Sequence, residues 1–344
     1  MKQDLTKLLP IQFPIIQAPM LGVTSPGMVA AVSNEGGLGS LPIGGLSPDA
    51  ARTLIKATKQ LTRKPFAVNL FAHEISSVPR DILQKMWSFL VEFAKSKGYQ
   101  LDSPSLPEFK FYNHRHQVDM LLEEDIKHVS FTFGNLDNES IKKLHAAGVS
   151  LMGTATCLQE AQILESSGID FIIAQGIEAG GHRGSFLDGE LPRIGLFSLL
   201  SNILQKCKIP VIAAGGIHHS QSIRAAMELG ASGVQIGTPF INSVESQAIP
   251  SYKKRLEEAT GTDTKLTCAF SGRWARGIIN EFMQEVELSG LDIPPYPYQN
   301  TLTASLRKMA QAKDDHTMTN LWSGQSLPLQ ETRSCKDIFL RLLY

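Results

Sequence analysis

The sequence predicts an α/β fold: a (β/α)8 barrel of the TIM-barrel class with a small, mainly helical cap. Over the first 240 residues, short β-rich runs alternate with amphipathic helical segments, a pattern typical of parallel sheets. Eight such runs are present, and eight strand–helix units favour a closed barrel over an open, doubly wound sheet. Glycine-rich turns follow several runs, at the strand ends where such barrels carry their sites.

The sequence pattern also predicts where the individual strands and helices begin and end. The eight strands are predicted at residues 15–18, 37–40, 66–69, 129–133, 150–153, 171–175, 210–214 and 234–237. Helices are predicted at 138–147, 156–167 and 220–229, because apolar residues recur there with helical spacing and a glycine follows each segment. In the last of these helices, Ser220 is expected to be the N-cap, with Ile223 and Ala226 on the apolar face.

Two regions depart from regular alternation. Residues 71–127 are long for one βα crossover and include a predicted helix at 81–97, so we interpret them as an elaborated third unit with a lid or packing role. After Phe240 the strand signal fades, and helical segments at 247–259 and 277–287 precede a proline-rich turn. We therefore predict a barrel from 1–240 and 300–344, with a helix at 303–313 returning to it, and a helical cap or substrate domain at 241–299.

The composition argues against several classes of partner. Lysine plus arginine and aspartate plus glutamate number 33 each, so no overall field draws the chain to nucleic acid or anionic lipid. The four cysteines lie far apart without paired spacing, which argues against a zinc site or a disulfide framework, and we expect no metal. No apolar run approaches the length of a membrane span. We expect a cytoplasmic protein that acts on a small molecule.

A glycine-dense turn that carries a histidine follows the predicted sixth strand. Gly180, Gly181 and Gly184 surround His182 there. Glycine removes side chains and allows positive φ, so backbone amides can approach a flat or phosphorylated ligand. An imidazole can take a proton from a carbon acid or, as imidazolium, hold an anion. We therefore predict that His182 is the catalytic residue and that Glu178 is either a supporting partner or a solvated carboxylate.

Glycine turns also follow the last two predicted strands. Gly215 and Gly216 follow the seventh strand, and Gly237 and Thr238 end the eighth. Barrels of this class frequently bind phosphate at these two turns through backbone N–H groups. We predict a phosphate site here. The alternative is that glycine serves only the shape of the turns.

Six short motifs support a resemblance to a known family. They are PIIQAPM at 14–20, SNEGGLG at 33–39, FAVN at 66–69, QGIEAGGHRG at 175–184, AAGGI at 213–217 and QIGT at 235–238. Each motif alone is weak, but their order and spacing together are specific. The chain resembles the nitronate monooxygenases, formerly called 2-nitropropane dioxygenases, which are FMN-dependent barrels related to flavin-dependent enoyl-ACP reductases.

The resemblance implies an FMN site built from these motifs. The implied cofactor-binding residues are Ala18, Pro19, Met20, Gly22, Asn69, Gln175, Gly180, Gly181, Gly215, Gly216, Gln235, Gly237 and Thr238. The carboxamides of Asn69 and Gln175 suit the donor and acceptor edge of an isoalloxazine ring. Two alternatives stay open: that these amides only tie down neighbouring backbone, and that Met20 is a core residue.

Two further features concern the substrate. The bacterial nitronate-oxidising branch of the family carries a histidine within Ser-Phe-X-Phe-Gly on the fourth strand, whereas this chain has Thr132 at that position. Thr132 either contacts the substrate or is an ordinary β-branched strand residue. Arg273 and Arg276, on either side of Trp274, either guide an anionic ligand or fix the cap to the barrel.

The implied function is FMN-dependent oxidation of an alkyl nitronate, such as propionate 3-nitronate, by O2 to a carbonyl compound and nitrite. His182 would serve as the base where a neutral nitroalkane is the substrate, and no reduced nicotinamide is needed. Two alternatives are kept: an NAD(P)H-dependent flavin enzyme resembling enoyl-ACP reductase, and a flavin-binding barrel without turnover. A homodimer is also considered.

Overall fold

The computed structural model describes residues 4–101, 105–327 and 331–344, so residues 102–104 of the elaborated third unit lie outside the described ranges. The strands are β1 (Ile15–Gln17), β2 (Gly39–Pro42), β3 (Phe66–Phe71), β4 (His128–Thr132), β5 (Ser150–Ala155), β6 (Phe171–Gln175), β7 (Gly181–His182), β8 (Val211–Ala214), β9 (Gly233–Ile236), β10 (Thr264–Thr267) and β11 (Ala275–Ile278). The helices are α1 (Pro26–Asn34), α2 (Pro48–Leu61), α3 (Arg80–Ser96), α4 (His114–Glu123), α5 (Asn138–Ala146), α6 (Leu158–Ser166), α7 (Leu196–Lys206), α8 (Ser220–Leu229), α9 (Thr238–Ile241), α10 (Pro250–Glu258), α11 (Glu281–Leu288), α12 (Tyr298–Ala312) and α13 (Cys335–Leu343). Within these ranges no helix combines the length and the apolar character needed to cross a membrane.

Eight parallel strands form the barrel. They hydrogen-bond in the order β1-β9-β8-β6-β5-β4-β3-β2, and a parallel bridge between Ile16 and Leu38 brings the two ends of the sheet together. The predicted (β/α)8 barrel is confirmed, and each predicted strand overlaps one of these eight strands. Helices between the strands bury one face, as in α2, where Ala51 and Ile55 are fully buried.

The N-terminal segment contributes to a core formed with residues of the barrel strands. Leu5 and Leu9 are buried, and the Leu5 amide donates to the carbonyl of Ser232 just before β9. They belong to the same apolar cluster as Ile16, Leu38, Ala67, Met152, Phe171, Ile173, Ile212 and Ala214. Because this cluster excludes water from around these strands, it favours a closed barrel.

The start of α8 differs from the prediction by one residue. The N-cap is His219 rather than Ser220, because His219 has the extended backbone that an N-cap needs and its Nδ1 accepts from the Ser222 amide. Ser220 is the first helical residue, and its hydroxyl donates to the carbonyl of Tyr344. The predicted stop at Gly230 is confirmed by its left-handed φ of +114°.

A second apolar core lies outside the barrel. It joins α3, α11 and α12 through residues such as Trp87, Phe282 and Leu306. We had placed 300–344 in the barrel, but the buried face of α12 packs in this second core. Leu321 and the buried residues of α13, such as Phe339, pack in the barrel core. The prediction that a helix at 303–313 returns to the barrel was wrong, because that segment belongs to α12, and α13 is the helix that packs on the barrel. The domain limits at residues 240 and 300 stay a prediction.

The segment after Phe240 contains strands as well as helices. β10, β11 and β7 form a three-stranded antiparallel sheet, in which Ala275 pairs with His182. The expectation of helix at 277–287 was wrong in its first residues, since Ile278 belongs to β11 and α11 begins only after Asn280. Short strands of this kind carry little periodicity, and their pairing partner lies far away in sequence.

Candidate active site

A cavity of about 450 Å³ opens at the carboxyl ends of the barrel strands. Every residue predicted for the site lines it. They are Ala18, Pro19, Met20, Gly22, Asn69, Thr132, Gln175, Gly180, Gly181, His182, Gly215, Gly216, Gln235, Gly237 and Thr238. The volume lies within the usual range for sites that bind cofactors and small molecules.

Backbone from three segments forms one end of the cavity: the turn at 215–216, the turn at 237–238 and the segment 322–326. Gly215 and Gly216 have φ of +103° and +72°, which exposes the turn backbone after β8. A third segment, 322–326, lies across them: the Gly324 amide donates to Thr238 Oγ1 at 3.0 Å, and Ser326 Oγ donates to the Gly216 carbonyl at 3.0 Å. This segment is not among the residues predicted from the sequence, although its glycine between two serines, after a tryptophan, was a usable signal.

Gly180 is required by close packing of two backbones. A Cβ at Gly180 would overlap the amide nitrogen of Gly324 and would come within 2.9 Å of Ser323 Cα. The glycine therefore lets the histidine turn and the segment 322–326 touch without side chains between them. Substitution here would push apart two walls of the cavity.

The carboxamides of Gln175 and Asn69 are both engaged by the protein. Gln175 Nε2 donates to the His182 carbonyl at 3.0 Å, and its Oε1 accepts from the Gly184 amide at 2.9 Å. Asn69 Nδ2 donates to Ser130 Oγ at 2.9 Å. Gln175 thus fixes the histidine turn, while both residues also face the cavity.

Charged residues around the same turn also bind backbone rather than a ligand. Both carboxylate oxygens of Glu178 accept from the Leu196 amide at the start of α7, so Glu178 holds that helix in place. Arg273 donates to the carbonyls of Arg183 and Ser185, and Arg276 Nε donates to the Ile177 carbonyl. These contacts favour the alternative in which the two arginines fix the cap to the barrel.

His182 lines the cavity among aromatic rings. Its ring lies edge-on to Phe133 at 5.4 Å between centroids and 5.4 Å from Trp322, and its Nε2 lies 2.8 Å from Ser271 Oγ. Burial, followed by the charges of Arg273 and Arg307, lowers the pKa of His182 to about 3. This shift favours the neutral imidazole, which has one nitrogen lone pair available to accept, over the imidazolium that would hold an anion.

The fourth strand ends in a constrained residue beside Thr132. Phe133 has φ of +76°, a conformation that costs a non-glycine residue of order 1 to 3 kcal/mol. The guanidinium of Arg273 lies 4.2 Å from the centroid of its ring. Thr132 itself lines the cavity, and a Cβ at Gly184 would come within 2.9 Å of its Oγ1. The strand therefore presents a hydroxyl close to the histidine turn.

The cap, meaning the helices of the second core (α3, α11 and α12) together with the small sheet of β7, β10 and β11, gives the cavity its charge. Arg307 and Lys308 of α12 line it, and no aspartate or glutamate does so among the described residues. Arg307 donates to Asn300, Thr303 and Asn320, but has no carboxylate partner within the described part of the chain. An arginine without a carboxylate beside an accessible cavity favours an anionic ligand. Neither cation was predicted from the sequence, because helical spacing alone does not show which face of α12 meets the cavity.

The fold and the cavity together define a class: a (β/α)8 barrel with a ligand cavity at the carboxyl ends of its strands, with exposed backbone at one end and cationic side chains at the other. A sequence model of the family described as nitronate monooxygenase matches residues 2–344. A probable nitronate monooxygenase of Bacillus subtilis (strain 168) is 41% identical over 334 residues, which is 96% of this chain and 94% of that protein. A probable nitronate monooxygenase of Staphylococcus aureus (strain MRSA252) is 40% identical over 344 residues, which is 99% of this chain and 96% of that protein.

A solved structure agrees with these relatives. The structure of nitroalkane oxidase from Streptomyces ansochromogenes superposes with a TM-score of 0.88 at 35% identity, covering 98% of this chain and 96% of that one. The chain belongs to the nitronate monooxygenase family, and the protein is a flavin-dependent oxidoreductase.

Proposed function

We propose that this protein uses FMN and O2 to oxidise alkyl nitronates, with propionate 3-nitronate among the candidates, to a carbonyl compound and nitrite. The observation that carries the proposal is the distribution of charge in one cavity. Arg307 and Lys308 line it with no carboxylate beside them among the described residues, and His182 is neutral. A nitronate is already an anion, so it matches a site with fixed cations and an uncharged imidazole.

The residues present fit FMN. Gly216, Gly237 and Thr238 would hold its phosphate through backbone amides and one hydroxyl, while Ala18 and Met20 would pack against its ring. A Cβ at Gly237 would lie 3.4 Å from Ala18 Cβ and 3.5 Å from Met20 Sδ, so glycine leaves open the space between these segments. The flavin, when bound, supplies the electron transfer between the substrate and oxygen.

The chain's own residues bind the substrate and move a proton. Arg307 and Lys308 attract the anion, and the rings of Phe133 and Trp322 exclude water from the space beside His182. If the substrate is a neutral nitroalkane, His182 accepts the α proton and the C–H electron pair stays on the resulting nitronate. Thr132 would donate a hydrogen bond to the same ligand.

The proposal also covers the partners of the protein, its location in the cell and its oligomeric state. Small-molecule nitronate or nitroalkane and O2 would be its partners, with no nucleic acid, membrane or metal partner. We keep a cytoplasmic location and a homodimer as predictions made from the sequence alone.

The test is a visible spectrum followed by a nitrite assay. Purified protein incubated with excess FMN is desalted, and the flavin spectrum is recorded. The loaded protein then receives propionate 3-nitronate or a simple alkyl nitronate in air. We expect bound flavin and nitrite release without added nicotinamide. Protein that stays colourless contradicts the cofactor assignment.

Two other outcomes identify the alternatives. Rapid anaerobic bleaching of the flavin by NADPH or NADH, without nitrite in the aerobic assay, would indicate the enzyme resembling enoyl-ACP reductase. Bound FMN with neither bleaching nor nitrite would indicate a binding barrel without turnover.

A further inference from the structure

Ser271 contacts the imidazole of His182 from the cap. It belongs to the loop between β10 and β11 and is 2% exposed. Its Oγ has three polar neighbours: His182 Nε2 at 2.8 Å, the carbonyl oxygen of Arg273 at 3.2 Å and the amide nitrogen of Arg273 at 3.3 Å. A serine hydroxyl has one proton to donate and two lone pairs to accept with, so these three neighbours use its whole capacity.

The proton positions follow from what each neighbour is able to do. The Arg273 carbonyl can only accept, so it takes the Ser271 hydroxyl proton. The Arg273 amide can only donate, so it takes one lone pair. The remaining lone pair faces His182 Nε2, and this contact is a hydrogen bond only if Nε2 carries a proton. The other ring nitrogen, Nδ1, then has no proton.

Nδ1 is the ring nitrogen that is left for a ligand. It has no hydrogen-bond partner among the described residues, and the side chain of His182 lines the cavity. Gln175 holds the backbone of the same residue through the His182 carbonyl. The imidazole is thus fixed at its backbone and at Nε2, and one nitrogen remains to accept a proton.

We propose that Ser271 is a positioning residue, which holds His182 as the Nε2–H tautomer and so makes Nδ1 the atom that receives the substrate's α proton. The catalytic part of this inference rests on the proposed function. In the step itself, the proton moves from carbon to Nδ1, the C–H electron pair stays on the nitronate, and the imidazolium keeps its Nε2–H bond to Ser271. A substrate supplied as the nitronate needs no such transfer.

The tautomer can be measured directly by NMR on protein labelled with 15N-histidine, both with and without FMN. The His182 signals are assigned by their absence in His182→Gln. We expect a proton on Nε2 and none on Nδ1 in the wild type. In Ser271→Ala a proton on Nε2 would be buried without an acceptor, so the ratio of tautomers should shift about tenfold or more towards Nδ1–H. A wild-type proton on Nδ1, or an unchanged ratio in Ser271→Ala, overturns the proposal.

Two variants separate positioning from general damage to the cap. Ser271→Thr keeps the hydroxyl and should restore the wild-type tautomer. Ser289→Ala removes a hydroxyl at the end of α11 that donates to the Val286 carbonyl and accepts from the Leu291 amide. Neither contact involves His182, so the His182 signals should not change. A shift in Ser289→Ala as large as in Ser271→Ala would mean that the effect is general loosening, and the proposal would fail.

Activity provides a second measurement with a different meaning. In Ser271→Ala, turnover of a neutral nitroalkane relative to its preformed nitronate should fall about tenfold, with FMN content unchanged. If the ratio of nitroalkane to nitronate turnover is the same in Ser271→Ala as in the wild type, the catalytic use of Nδ1 is overturned. The same holds if the wild type does not turn over the nitroalkane at all. Absence of nitrite from both substrates counts against the proposed function instead, while the NMR result still decides the tautomer.

Discussion

The turns of the barrel and the cap contribute different chemistry to one cavity. The barrel side offers backbone, as at Gly215 and Gly216, where no side chain covers the amides. The cap side offers functional side chains, namely Ser271 behind the histidine and Arg307 and Lys308 at the cavity wall. The difference suggests that cofactor retention depends on backbone geometry, whereas substrate handling depends on cap side chains. The two should therefore respond to different substitutions.

His182 is where the two regions meet, and its replacement should have the largest effect. In His182→Ala, nitroalkane turnover should fall by roughly two to four orders of magnitude, because a positioned base is lost. FMN should stay bound, since Gln175 holds the turn through the His182 carbonyl, which remains. Nitrite release and flavin content are measured together. His145→Ala, on the outer helix α5, is the matched control. Loss of flavin together with turnover would make His182 a structural residue.

Gly180→Ala tests the backbone side of the comparison. The added Cβ must separate the histidine turn from Gly324, so FMN affinity should fall about tenfold or more. Fluorescence titration of the flavin into apoprotein gives the dissociation constant. Gly27→Ala adds the same methyl group to helix α1, where its nearest neighbour is Ser25 Oγ at 3.5 Å, and should bind FMN normally. Normal binding in Gly180→Ala as well would contradict the assignment of this end of the cavity to the cofactor.

Arg307→Met tests the cap side. The KM for an anionic nitronate should rise about tenfold, the scale of one hydrogen bond to a charged group, while FMN affinity and the KM for a neutral nitroalkane change little. Steady-state kinetics at two salt concentrations check this expectation. Arg224→Met, on exposed α8, serves as the control. An equal rise in KM for both substrates would assign Arg307 to shape rather than to charge.

A smaller effect concerns the barrel alone. Burial lowers the pKa of His128 in β4 to about 4, so the folded state stays neutral there while the unfolded state, with a pKa near 6.5, takes up a proton. The contribution of His128 to the free energy of unfolding is therefore fully present above pH 6.5. It decreases by about 3 kcal/mol as the pH falls towards 4. Urea unfolding of the apoprotein across this range should show a shallower slope in His128→Leu. An identical slope would show that other groups dominate the acid response.

The barrel was predictable because its signals are local. A strand such as 171–175 and the glycine turn after it lie within one stretch of sequence, and a turn needs glycine for reasons that do not depend on the rest of the fold. The order of the eight strands then placed all the predicted site residues at one end. His182, Gly216 and Thr238 accordingly meet in one cavity, although their roles stay predictions.

The cap was less predictable because its contacts join distant segments. Ser271 reaches His182 across 89 residues, and the β11–β7 pairing that makes this contact joins two very short strands. Nothing in the local pattern of 298–312 shows that Arg307 faces the cavity while Leu306 faces the second core. Glu178 was also misjudged, since its helix partner, the Leu196 amide, lies eighteen residues away.

The pairing of Gly181 and His182 with β11 couples the histidine turn to the small sheet of β7, β10 and β11. A rigid tilt of that small sheet would therefore move the imidazole of His182 with it. Asn300, Ala304 and Lys308 of α12 line the cavity without belonging to that sheet, and their side chains are exposed or half-buried. A small molecule that passes between these side chains and solvent would leave the imidazole in place.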